Sequence, residues 1–242
     1  MPTQPSSPPK PVSEVWRPEL TRLPRLHLAR RCFRAFGRWL CRTVIAICTI
    51  PTVEGLENFP IKGPALVVIN HLGDADAPLL VSSVPVELDA LGKVELYDLP
   101  ILGKMMDWYG IIWLHRGRAD RRAMRAALDG LAESRFLVIA PEGRYSLIGG
   151  LEEGEHGASF LAYKADIPIV PVVVIGTENE RVYGYLKRLR RVPVTFRVGK
   201  SFRLSQQADR REMMREGTRQ IMESLANLLP ESYRGAYRTV SD

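Results

Sequence analysis

The stretch Asn70-His71-Leu72-Gly73-Asp74-Ala75-Asp76 follows directly on an apolar run, Ala65–Ile69. It brings one imidazole and two carboxylates together. A carboxylate that accepts a hydrogen bond from one ring nitrogen fixes the tautomer and leaves the other nitrogen as a base. It also stabilises the imidazolium formed once that base has taken a proton. Asp76, five positions on, does not share a regular helix face with His71. It reaches the ring if His71 lies in a strand-to-helix loop and Asp76 in the first helical turn, where its charge also suits the helix dipole. Asp74 is chemically equivalent, so the local residues leave the choice of partner open. No Gly-x-Ser-x-Gly elbow and no P-loop occurs. A histidine base without an evident protein nucleophile points to proton abstraction from a substrate hydroxyl. His115 and His156 show no metal-ligand spacing with His71, and no metal is expected.

Such a base needs elements to present it. Short apolar runs alternate with helical stretches from residue 64 onward. Strands are predicted at Ala65–Ile69, Leu88–Leu91, Ile111–Leu114, Phe136–Ala140, Ile169–Ile175 and Val194–Val198. Helices are predicted from Pro78, over 99–108, and at Arg121–Ser134, His156–Lys164 and Arg210–Leu229. Alternating strands and helices, with continuously apolar strands, indicate a single α/β domain with a mixed, largely parallel sheet covered by helices. Sites in such folds gather at the carboxyl ends of strands. His71, Arg116 and Glu142 each follow closely on a predicted strand and are candidates to converge.

Residues 23–50 carry Leu26, Phe33, Phe36, Leu40, Val44 and Ile47 at spacings close to one helix face, with Arg30, Arg34, Arg38 and Arg42 largely on the other. This N-terminal amphipathic segment is expected to be a basic, membrane-associating helix with Trp39 bordering its stripe. The alternative is a helix packed on the domain with a solvated arginine face. Residues 1–22, rich in Pro and Ser at their start, are expected to be a disordered tail, and residues 51–242 the folded domain. The longest uncharged stretch of the N-terminal region, Thr43–Val53, is too short to span a bilayer. No signal peptide is visible. A net charge of +7 suits an acidic partner. Cys32, Cys41 and Cys48 form no CxxC, which argues against a disulfide or zinc framework and for a reducing compartment. No nucleic-acid motif accompanies the basic charge, and no nucleic-acid partner is expected.

Four ordered blocks resemble the glycerolipid acyltransferases, the family of lysophosphatidic acid acyltransferase. "NHLGDAD" resembles their N-H-x4-D motif. "LGKVELYDLPILGKMMDWYGIIWLHRG" resembles the second block and maps Gly110 and Arg116. "VIAPEGRYS" resembles the third, and maps Pro141, Glu142, Gly143 and Ser146. "IPIVPVVVIG" resembles the fourth, and maps Pro171. The match runs from about residue 52 to 178. The resemblance implies His71 as the base and Asp76 as its orienting partner. It implies Arg116, Glu142 and Gly143 as acceptor-site residues, with Arg116 on a phosphate. The third block departs from the usual Pro-Glu-Gly-Thr-Arg-Ser: Tyr145 stands where arginine is usual, and Arg144 precedes it as a candidate substitute. The implied reaction carries an acyl group from acyl-CoA or acyl-carrier protein to a lysophospholipid hydroxyl, with lysophosphatidate as the leading acceptor and no cofactor. Another lysolipid, a glycolipid or an aminoacyl lipid is the alternative acceptor; a non-catalytic lipid-binding protein is the alternative function. The implied place is peripheral, on the cytoplasmic face of the membrane.

Overall fold

The computed structural model describes residues 8–117, 119–205 and 209–238. The strands are β1 (Thr49–Glu54), β2 (Ala65–Ile69), β3 (Leu88–Lys93), β4 (Ile112–Leu114), β5 (Phe136–Ile139), β6 (Ile169–Ile175) and β7 (Val192–Val198). They form one sheet in the order β1-β7-β6-β2-β5-β3-β4. Every neighbouring pair is parallel except β6 and β7. The helices are α1 (Leu28–Cys48), α2 (Asp76–Ser83), α3 (Leu102–Tyr109), α4 (Arg121–Ala132), α5 (Gly157–Ala165), α6 (Asn179–Leu186) and α7 (Arg210–Leu228).

β2 lies at the centre, and all five of its residues are buried. Successive side chains of a strand point to opposite faces. Leu66 and Val68 accordingly join one core with residues of α4, α5 and α7, and Ala65, Val67 and Ile69 join the other with Leu79 and Leu80 of α2 and Ile45 of α1. This two-sided burial is why the strand reads as an unbroken apolar run. At its carboxyl end Asn70 is clamped to β6: its Nδ2 donates to Val174 O at 2.9 Å and its Oδ1 accepts from Val174 N at 2.8 Å. The turn into the loop is thereby fixed one residue before His71.

Two elements depart from the sequence expectation. The predicted helix over 23–50 ends at Cys48, and Thr49–Glu54 is a strand pairing with β7. Pro51 is tolerated there because β1 is an exposed edge strand. α6 carries no clean apolar repeat and is additional to the helices expected from sequence; it packs beside β7.

The amphipathic helix is inverted relative to a domain-packed helix with a solvated arginine face. The arginines face the protein. Arg34 is buried, pairing with Asp89 at 2.6 Å and donating to Tyr109 O at 2.7 Å. Arg30 donates to Trp108 O, Arg38 to Val86 O and Arg42 to Ser82 O. They meet carbonyls at or just beyond the ends of α2 and α3, where cations are favoured. Phe36, Trp39, Val44 and Ile47 are left exposed, Ile47 by 67%.

Residues 8–22, expected within a disordered tail, are packed; residues 1–7 lie outside the described residues. Ser13 and Leu20 are buried. Ser13 N donates to Arg116 O at 2.9 Å, Ser13 Oγ accepts from Arg116 N at 2.8 Å, and Lys10 pairs with Glu155 at 2.9 Å. These partners are distant in sequence, so local composition did not reveal them.

Candidate active site

The loop after β2 delivers His71 to the carboxyl edge of the sheet, and α2 begins at Asp76. His71 Nδ1 lies 2.7 Å from Asp76 Oδ2, which also accepts from Leu72 N at 2.7 Å and Gly73 N at 3.0 Å. A carboxylate oxygen can only accept in this arrangement, so Nδ1 carries the hydrogen, and in the neutral imidazole Nε2 has the lone pair. No hydrogen bond is made by Nε2 among the described residues, and the side chain is 22% exposed. Asp76 is the partner. Asp74 points elsewhere, its oxygens accepting from Tyr145 and Tyr183 hydroxyls at 2.8 and 2.9 Å.

The same spacing occurs a second time, at His115 and Asp120, and makes a different object. His115 Nδ1 lies 2.6 Å from Asp120 Oδ2, but its Nε2 accepts from Arg17 N at 2.9 Å and the residue is fully buried. Asp120 also caps α4 through Ala123 N. Both nitrogens are engaged, so this imidazole is a structural link. The sequence contains this second H-x4-D, and spacing alone does not separate the two.

Glu142 follows β5, the parallel neighbour of β2, and is fully buried. Its Oε1 accepts from His71 N at 3.1 Å and its Oε2 from Glu152 N at 2.8 Å. Ser146 N donates back to His71 O at 2.7 Å. The 141–146 turn therefore grips the backbone of His71 on both sides. Gly143 makes that turn with φ +73°, a conformation glycine adopts without steric cost.

His71 and Gly143 open onto a cavity of about 1040 Å³. Leu91, Leu114, Met124, Leu128, Ile139 and Phe160 give it an apolar lining, while Lys93, Arg116, Arg121, Arg125 and Arg210 bring positive charge to its wall. No cluster of His, Cys, Asp or Glu that would hold a metal occurs among the described residues.

Residues 50–175 match the acyltransferase family, slightly more than half of the chain. The chain belongs to the acyltransferase family. Among individual relatives it is 28% identical over 151 residues to a chloroplastic 1-acyl-sn-glycerol-3-phosphate acyltransferase of Arabidopsis thaliana, covering 60% of this chain and 42% of the relative. It is 29% identical over 182 residues to a 1-acyl-sn-glycerol-3-phosphate acyltransferase of Limnanthes douglasii, covering 72% and 62%. The chain spans about half the length of such relatives. The crystal structure of the 1-acyl-sn-glycerophosphate acyltransferase of Thermotoga maritima superposes with a TM-score of 0.60 over 84% of both chains, at 20% identity, which establishes the shared fold.

Placed in this acyltransferase fold, the expected acceptor-site residues separate. Arg116 is partly buried at the cavity wall, and no hydrogen bond or ion pair holds its guanidinium among the described residues. Burial lowers its pKa, and the charge of Glu95 opposes that shift. Arg144 does not compensate for the missing third-block arginine. It is 6% exposed, paired with Glu152 at 2.6 Å, and donates to the carbonyls of Pro8 and Pro9. Glu142, expected to shape the acceptor site, is fully buried and accepts from the backbone N–H of His71. The residue that took the arginine's place, Tyr145, instead lies edge-on to the imidazole, with ring centroids 4.2 Å apart.

Burial pushes the Glu142 carboxyl up to about 8, against the opposing pull of its two backbone N–H donors. A carboxyl raised in the folded state supports stability fully below its unfolded pKa, and that support is lost as pH rises through the folded value. Relative to Glu142→Gln, the wild type is thus expected to lose stability between about pH 4.5 and 8. Paired denaturation curves across that range check the sign. The amide cannot accept both N–H groups, so Glu142→Gln is also expected to reduce turnover by loosening His71.

Proposed function

We propose that the protein transfers an acyl group from an acyl thioester, acyl-CoA or acyl-carrier protein, to a hydroxyl of a lysophospholipid. The leading conversion is 1-acylglycerol-3-phosphate to phosphatidate, the acceptor named by the relatives. His71 Nε2 takes the acceptor's hydroxyl proton as its oxygen attacks the thioester carbonyl carbon. Asp76 holds the tautomer and stabilises the imidazolium. When the tetrahedral intermediate collapses, the C–S bond breaks and the imidazolium returns its proton to the leaving thiolate, giving a free thiol and a new ester. Arg116 supplies charge-assisted donors for the acceptor phosphate, and the apolar cavity takes an acyl chain. The observation that carries this reading is one imidazole with Nδ1 locked to Asp76 and Nε2 unengaged at an apolar cavity. Incubation with lysophosphatidate and mixed acyl-CoAs, followed by mass spectrometry, tests it. A diacyl product that requires both substrates supports it; lysophosphatidate left unchanged with every donor contradicts it.

Substrate and product are both membrane amphiphiles, and the exposed face of α1 supports peripheral membrane binding. Phe36 and Trp39 stack at 5.8 Å, and Phe33 meets Trp108 of α3 at 6.1 Å, so the apolar patch continues from one helix to the next. Trp108 is itself 53% exposed. Aromatic and aliphatic side chains on one helical face suit the headgroup boundary. No helix among the described residues is long and apolar enough to cross a membrane. Combined Trp39→Glu and Ile47→Glu substitution is expected to weaken vesicle binding by about tenfold or more, since each buried large apolar side chain contributes roughly 1.5–3 kcal/mol. Sedimentation with anionic vesicles measures it; unchanged binding would place the contact elsewhere.

A further inference from the structure

The carboxylate beside the base that catalysis does not use is held as firmly as the one it does. Asp74 Oδ1 accepts from the Tyr145 hydroxyl at 2.8 Å and Oδ2 from the Tyr183 hydroxyl at 2.9 Å; its backbone N–H donates to Asn179 Oδ1 at 2.8 Å. Tyr183 and Asn179 both come from α6. Asp74 is nevertheless exposed, and no lysine, arginine or histidine pairs with it among the described residues. Each oxygen has one donor and retains acceptor capacity. Burial and the Asp74 charge push the Tyr145 phenol well above its ordinary value, so it remains a donor. The Tyr145 ring itself rests edge-on against the His71 imidazole. One aromatic side chain thus bridges the base to a fixed, uncompensated negative charge. Arg116 and the basic cavity wall also border the base.

We propose that Tyr145 and Asp74 determine acceptor specificity: the fixed Asp74 carboxylate receives a hydrogen-bond donor, an ammonium or a hydroxyl, on the acceptor's head group. The inference rests on the acyl-transfer step proposed above and departs from it on the acceptor: a lysophospholipid with a substituted phosphate takes the place of lysophosphatidate as the preferred one. The phosphate meets Arg116, and the group esterified to that phosphate meets Asp74. Lysophosphatidate has no such group, and its phosphate monoester brings extra negative charge toward Asp74. Lysophospholipids whose phosphate carries a donor are therefore favoured over it. A hydrogen bond to a charged group supports a preference of about tenfold.

The test measures kcat/KM for the full chain with one acyl-CoA and three acceptors in the same mixed micelles: lysophosphatidate, lysophosphatidylethanolamine and lysophosphatidylglycerol. The expected result is a preference of about tenfold for one or both head-group-bearing acceptors, carried mainly by KM. The two separate an ammonium from a hydroxyl as the recognised donor. Asp74→Asn and Tyr145→Phe should bring the ratio toward one, and Tyr145→Arg should reverse it in favour of lysophosphatidate. Tyr183→Phe, a mild change at an exposed side chain, should reduce the preference without reversing it. A wild type that acylates lysophosphatidate best, or a preference untouched by Asp74→Asn, overturns the proposal while leaving the acyltransferase reading intact. Acylation of no acceptor at all overturns both.

Discussion

His71→Ala is expected to lower the acyl-transfer rate by about a hundredfold to ten-thousandfold, the usual contribution of a positioned general base, with little change in stability. Activity is expected to depend on this ring because its Nε2 is left unengaged while Asp76 holds Nδ1. Stability does not, because the side chain is partly exposed and the loop is held by other bonds: Asn70 to Val174, and the His71 backbone to Glu142 and Ser146. His115→Ala is the reciprocal control. It removes a fully buried imidazole that links Asp120 to Arg17 N; Asp120 keeps the backbone N–H of residue 115, but the part-buried Arg17 N–H loses its acceptor and a buried void is left, at a cost of about 1–3 kcal/mol or more. Initial rates with acyl-CoA and lysophosphatidate, beside chemical denaturation, separate the two. His71→Ala should move the rate alone, and His115→Ala should move mainly the stability. A His71→Ala protein with near-wild-type turnover would remove His71 from the chemistry.

The largest expected effect on stability is at Asp89. This β3 residue is 1% exposed and pairs with Arg34 of α1 at 2.6 Å and with Arg135 at 3.1 Å. Asp89→Ala takes the buried carboxylate away from two guanidinium groups: Arg135 keeps Glu133, while Arg34, buried almost as deeply as Asp89, keeps only Glu87 at 3.7 Å as a carboxylate partner. Breaking a buried pair from one side typically costs about 3–5 kcal/mol, because the remaining charge is uncompensated. The loss concentrates where α1 docks, so the exposed apolar face should also lose its fixed orientation and vesicle binding should fall. Urea denaturation measures the first effect and vesicle sedimentation the second. A destabilisation below about 1 kcal/mol would mean that water reaches the arginines once the carboxylate is gone.

The central strand and its histidine were legible in sequence because burial on both faces leaves an unbroken apolar run, and a polar cluster after such a run marks the strand's carboxyl end. β5, β6, α4 and α7 were legible for similar reasons. Local residues did not distinguish Asp74 from Asp76; the resemblance did, and it is Asp76 whose Oδ2 lies 2.7 Å from His71 Nδ1. Other features were set by partners remote in the chain. The orientation of α1 depends on carbonyls near the ends of α2 and α3, 40 to 78 residues away; periodicity divides the helix into two faces without saying which faces the protein. Arg144 looked available because Glu152 and the carbonyls of Pro8 and Pro9 do not stand beside it in sequence. β1, short and interrupted by Pro51, continued an uncharged stretch that resembled a helix end. The clamp on Asp74 needed Tyr183 from α6, an element with no clean apolar repeat.

His71 is expected to activate a lysophospholipid hydroxyl against an acyl thioester. The most direct measurement of this is free-thiol release from acyl-CoA, followed together with the lipid product, with and without lysophospholipid, in wild type and His71→Ala. The predicted result is one thiol for each new ester in the wild type, release that depends on the acceptor, and loss of both signals in the variant. Thiol release without an acceptor, or equal release by His71→Ala, would contradict it.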